Sequence, residues 1–161
     1  MDDASIDTLV EEQRGQTQSR YDDDIHAWAM EQAEHLKAGR FAALDLINLA
    51  DEVADVGHSQ YDKLESDLAR VIQHLLKWDH QPGQRSRSWA NTVKEHRRRV
   101  ERQLRRNPSL KALRIEALQE AFDRGRADAL SETDLPDDVF PSRNPYLWDD
   151  AMTRPIVWPE P

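Results

Sequence analysis

The chain has 161 residues, 38% hydrophobic and 33% charged, with no cysteine and a net charge of −9. That length suits one domain with its own core, and the missing cysteines exclude disulfides and thiolate zinc sites. No apolar run approaches the roughly 20 residues of a bilayer span, and the acidic opening MDDASIDTLVEEQRG is unlike a signal peptide, so a soluble, cytoplasmic protein is expected.

Residues 1–20 read as a flexible acidic segment ahead of a helical bundle domain over 21–131. A first helix is predicted from Tyr21 to Arg40: Asp22, Asp23 and Asp24 suit its N-terminus, Ile25, Trp28, Ala29, Ala33 and Leu36 share one face, and Gly39 stops it. A second helix is predicted over 44–56, with Leu46, Leu49, Ala50 and Val53 turned inward and Gly57 as its end signal. A third follows over 59–79, where Leu64, Leu68, Val71, Ile72, Leu75 and Leu76 recur at helical spacing. Pro82-Gly83 then turns the chain. Ser86 or Ser88 caps a fourth helix with Trp89, Val93, His96, Val100 and Leu104 as its stripe, and Asn107-Pro108 ends it. The fifth runs to about Leu130 on Leu110, Leu113, Ala117, Leu118, Ala121 and Phe122. Residues 132–161 hold six of the eight prolines together with Tyr146, Trp148 and Trp158, so an extended tail strapped across the bundle is predicted.

No segment alternates with period two, and the predicted connections are short. The expected fold is therefore all-α: an antiparallel bundle of about five helices with a Pro- and aromatic-rich C-terminal strap.

YDDDIHAWAMEQAEHLKAGRFAALDLINLADEVADVG, HLLKWDHQPGQRSRSW, NTVKEHRRRVERQLRRNPSL and LPDDVFPSRNPY, in that order, resemble the bacterial family known as domain of unknown function twenty-nine. The resemblance covers about residues 21–159, and the HLLKW, QP and RSRSW elements are its distinctive core. It implies an all-helical protein of cyanobacterial and proteobacterial type, and no reaction, cofactor or catalytic residue. Relatives often carry an aromatic where Asp79-His80 stands here, which argues against His80 as a shared ligand.

Charge is strongly segregated along the chain. Residues 84–106 carry nine bases against two acids (+7), whereas 1–24 and 128–161 each carry eight acids against two bases (−6). A metal-dependent enzyme centred on His74, with Asp45 or Glu52, is one reading, but no Glu-x-x-His or His-x-x-x-His pair supports it, and no metal or cofactor is expected. Asp55 and His58 also have suitable spacing, with Gly57 expected to break the helix between them. Catalytic residues are not identifiable: there is no Gly-x-Ser-x-Gly elbow and no phosphate-cradling glycine loop.

The candidate ligand- or partner-binding residues are His74, Trp78, Arg85, Arg87, Trp89, Arg97 and Arg98. Trp78 and Trp89 flank the Pro82-Gly83 turn, where arginines can stack on their faces, forming first a corner between helices and second a pocket for an anion. His74 is read as a core-edge histidine bonded to a carboxylate or carbonyl. The leading function is a non-enzymatic interaction or regulatory protein that binds a protein partner through its basic helix and acidic flanks. Nucleic-acid binding through 85–106 is the alternative; against it, the chain's isoelectric point is near 5. Homo-oligomerisation is compatible with the sequence, and no membrane partner is expected.

Overall fold

The computed structural model describes residues 20–158. Its α-helices are α1 (Ile25–Lys37), α2 (Leu46–His80), α3 (Arg87–Arg106), α4 (Arg114–Ser131) and α5 (Trp148–Thr153), joined by single 3-10 turns at Phe41–Ala43, Pro82–Gln84, Pro108–Lys111 and Asp137–Val139. No strand occurs among the described residues, so the fold is all-α as predicted. The flexible segment read into residues 1–20 lies, except for Arg20, outside the described residues. The chain divides into two compact units, Met1–Gly57 and His58–Pro161.

The predicted break at Gly57 does not occur: the helices expected over 44–56 and 59–79 are one helix of 35 residues, Leu46–His80. Gly39 and Gly57 show why one glycine stops a helix and the other does not. Gly39 has φ +69, the left-handed conformation that closes a helix C-terminus without a Cβ penalty. Gly57 has no positive φ and continues the helix, at a propensity cost of about 1 kcal/mol relative to alanine. Asp55 and His58 therefore lie one turn apart on the same helix.

In the first unit, α1 and the start of α2 form an antiparallel hairpin with a polar interior. Asp24 caps α1 by accepting from the Ala27 amide at 2.9 Å. Trp28, only 2% exposed, donates its Nε1–H to Asp45 at 3.1 Å. Asp45 also accepts from the Asn48 side chain at 2.7 Å, and its own amide donates to Gln32 Oε1 at 2.9 Å. Further along, Tyr21 donates to Glu52 at 2.6 Å, a bond that pushes the phenol up to about 12. This network turns Asp45, just before α2, and positions 48 and 52 of α2 toward α1. Leu46 and Val53, predicted to face inward, consequently stand in solvent at 66% and 69% exposure.

In the second unit the apolar stripe behaves as predicted. Leu64, Leu68, Val71, Ile72, Leu75 and Leu76 are buried against Val93 and Val100 of α3 and Leu118, Ala121 and Phe122 of α4. Ser86 accepts from the Trp89 amide and caps α3. His96 bonds Asp67 at 2.7 Å and Gln103 bonds Gln60 at 3.0 Å, so α3 runs antiparallel to α2. Tyr61 bonds Glu120 and Lys77 bonds Glu132, so α4 returns parallel to α2. From the tail, Phe140, Tyr146 and Ile156 are buried in the same core, and the stretch includes α5 and a 3-10 turn rather than being extended throughout.

Candidate functional site

The HLLKW–RSRSW motif folds into the corner between α2 and α3. Arg85 donates Nε–H to the Trp78 carbonyl at 2.8 Å, and its guanidinium lies 5.2 Å from the centre of the Trp78 ring. This bond ties the turn after Pro82 back onto the end of α2, whose last carbonyls lack helical partners. The cation over Trp89 is Lys77, with Nζ 4.6 Å from the ring centre, where an arginine had been expected. Arg87 points into solvent.

Lys77 is 6% exposed and holds Glu132, the residue that closes α4, at 2.8 Å. A buried ammonium requires such a partner. The bond holds the Glu132 carboxyl below the ordinary glutamate range. Arg70 approaches the same carboxylate at 3.6 Å and donates to Gln73 Oε1 at 2.7 Å. His74, one turn below Trp78, contacts the Arg70 carbonyl through Nδ1 at 3.0 Å, which places the proton on Nδ1. Burial lowers its pKa, with Lys77 adding to the effect.

The two shifts have consequences at different pH. The unfolded chain takes up a proton at His74 near the free-histidine value of about 6.5, while the folded chain resists it, so stability falls as pH drops below that value. Glu132 acts lower: its contribution is present above the free-glutamate value of about 4.3 and is lost as pH falls toward its folded value. In denaturant titrations, His74→Gln is expected to remove part of the loss between about pH 7 and 5. It should leave the steeper loss below about pH 4.5 in place. If wild type and variant lose stability in parallel across the upper range, His74 is not the group responsible.

Arg97 and Arg98 are neighbours in sequence with opposite environments. Arg97 turns inward and donates Nε–H to the Ala151 carbonyl at 2.7 Å, Nη1–H to the Arg154 carbonyl at 2.7 Å and Nη2–H to the Asp150 carbonyl at 3.3 Å. Burial, with Arg154 nearby, pushes its pKa down to about 10. Arg98 is on the outer face with its side chain 72% exposed. At 100° per residue, Arg87, Lys94, Arg98, Arg102 and Arg105 fall within about 80° of one another and extend for about 27 Å. All five are exposed. Among the described residues, the only carboxylates pairing with α3 arginines are Glu95 and Glu101 of the same helix, with Arg98 at 3.8 Å, Arg99 at 3.0 Å and Arg105 at 4.0 Å.

Sequence reasoning missed the partners on the tail. Asp79 accepts from both Arg154 Nη atoms at 3.0–3.1 Å and from Tyr146 at 2.8 Å. Burial and this carboxylate raise the Tyr146 pKa. His80 packs edge-on against Phe140, and Asp79, His80, Tyr146 and Arg154 border an open depression of about 540 Å³. No local signal pairs position 79 with 146 and 154, because the pairing is made by the path of the tail. Asp45 and Glu52, considered as ligands with His74, are bonded to Trp28, Asn48 and Tyr21. Among the described residues no group of three or more His, Asp or Glu side chains is placed to hold a metal ion, and no helix is long and apolar enough to cross a membrane.

No curated protein and no solved structure matches the chain. A family model described as "Domain of unknown function DUF29" matches residues 20–156. That span contains helices α1 to α5, with the HLLKW–RSRSW corner, the arginine helix and the carbonyls held by Arg97, and the chain belongs to the DUF29 family.

Proposed function

We propose that this chain is a non-enzymatic interaction protein that docks an acidic surface of a protein partner on the outer face of α3. The supporting observation is the row formed by Arg87, Lys94, Arg98, Arg102 and Arg105, exposed and facing no carboxylate of another element among the described residues. Arginines in an acidic protein are usually neutralised by neighbouring helices. Here two acids of α2 are engaged by other partners, Asp67 by His96 and Glu65 by Arg124. The row keeps its field for a partner, and the chain's net charge of −9 disfavours a phosphate backbone.

Arg97 has no part in this surface, and Arg98 with Arg102 are the residues to test. Arg98→Glu combined with Arg102→Glu leaves the core untouched and is expected to weaken partner binding about tenfold, as two surface charge reversals of about 0.7 kcal/mol each would do. The measurement is a comparison of tagged wild type and variant in native extract, scored by the proteins retained and by the 260/280 nm absorbance ratio. An acidic protein retained by wild type and lost by the variant supports the reading. A raised ratio that collapses with nuclease assigns the row to nucleic acid instead. Identical retention by both forms overturns it.

A further inference from the structure

Among the described residues the first unit buries one large apolar side chain, Trp28, yet holds eight of the thirteen exposed large hydrophobics. An apolar surface that concentrated marks an interaction site. Its order is specific. Leu46, Leu49, Val53 and Val56 stand at i, i+3, i+7 and i+10 on α2, the alternating three- and four-residue spacing of a coiled-coil seam. Leu46, Val53 and Val56 are exposed by 65–69% and Leu49 partly. Their outward position follows from the bonds that turn Asp45, Asn48 and Glu52 toward α1.

We propose that this seam pairs with the same seam of a second copy of the chain, in parallel. The flanking residues set the orientation. Parallel pairing places Asp45 and Glu52 of one copy opposite Ala50 and Gly57 of the other, so no like charges meet, whereas antiparallel pairing brings acids at 45 and 52 of both copies to the same side. The residues opposite are also the smallest available. A Cβ added at Gly57 would meet nothing within 4 Å, so the helix is open at that position. Each copy brings a two-helix hairpin, and the pair closes a four-helix arrangement. Phe41, 66% exposed at the hairpin bend, extends the covered surface.

The absence of cysteine makes the arrangement directly readable. In the full chain, Val53→Cys is expected to oxidise to a disulfide-linked dimer, because a parallel seam sets position 53 against its own copy. Ala54→Cys, one residue off the seam, should cross-link several-fold less. Light scattering on the eluting wild type should give twice the 18.7 kDa chain mass, and Val53→Glu should halve it with unchanged helicity, since residue 53 is 69% exposed. A wild type that stays at 18.7 kDa across a wide concentration range overturns the proposal and assigns the seam to another occupant, such as residues 1–19 of the same chain. A dimer that survives Val53→Glu, or cross-links equally through both cysteines, also overturns it, because its interface then lies elsewhere.

Discussion

Gly125→Ala is expected to destabilise the protein by about 1–3 kcal/mol, the usual cost of forcing extra volume into a packed contact. Helix propensity alone predicts the opposite sign, since alanine is favoured over glycine inside a helix by about 1 kcal/mol. The reason is a close approach of α4 to α2. A Cβ at position 125 would lie 2.6 Å from the Ala69 carbonyl oxygen, 3.1 Å from the Gln73 amide nitrogen and 3.1 Å from Ile72 Cβ. Two of those atoms are backbone, so no side-chain rotation relieves the clash and the helices must separate. Valine at the same position adds two methyl groups and should leave little native protein. Thermal unfolding is the measurement, with Tm expected to fall by about 2–4 °C for each kcal/mol. A Tm equal to or above that of wild type for Gly125→Ala would mean that the helices do not pack this closely.

Arg97→Ala is expected to cost about 3 kcal/mol, from the loss of two short charge-assisted bonds of about 1.5 kcal/mol each. The guanidinium gathers the carbonyls of Asp150, Ala151 and Arg154 at the end of α5, a helix of only six residues that cannot sustain itself. Its removal should free the tail, so limited proteolysis between residues 141 and 158 should accelerate well before the rest of the chain is cut. Arg97→Lys should rescue poorly, because one ammonium cannot reach three carbonyls that a planar fork serves together. Arg98→Ala should leave both stability and cleavage unchanged. If the two alanine variants behave alike, the inward geometry of Arg97 is wrong.

The contrast between these two arginines shows where sequence reading stops. Both were legible as candidates, because the run from Arg85 to Arg106 is unmistakable in charge. Which of them faces solvent depends on rotation about α3, and that rotation is set by Val93 and Val100 entering the core. Arg97 lies beside the buried stripe and Arg98 a further 100° away. The corner was legible in the same partial way: the Pro-Gly turn and the stacked arginine were visible, but Lys77 over Trp89 was not, because a lysine next to a tryptophan carries no signal of which ring it covers. Gly57 was misread because glycine's meaning depends on φ, and φ follows from the surrounding helix.

Local and periodic information determined the all-α class, the stripe from Leu64 to Leu76, the stops at Gly39, Pro82-Gly83 and Asn107-Pro108, and the family. Each of these depends on residues within one or two helical turns, or on a motif in linear order. Tertiary structure alone decided that α2 runs unbroken through Gly57, that the first unit has a polar interior with its apolar seam outside, and that Asp79, Arg97 and Lys77 hold segments 54–75 residues distant. Hydrogen bonds and ion pairs of that kind are directional and short-ranged. They form only after the core has brought their partners together, and the linear order of the chain does not record them.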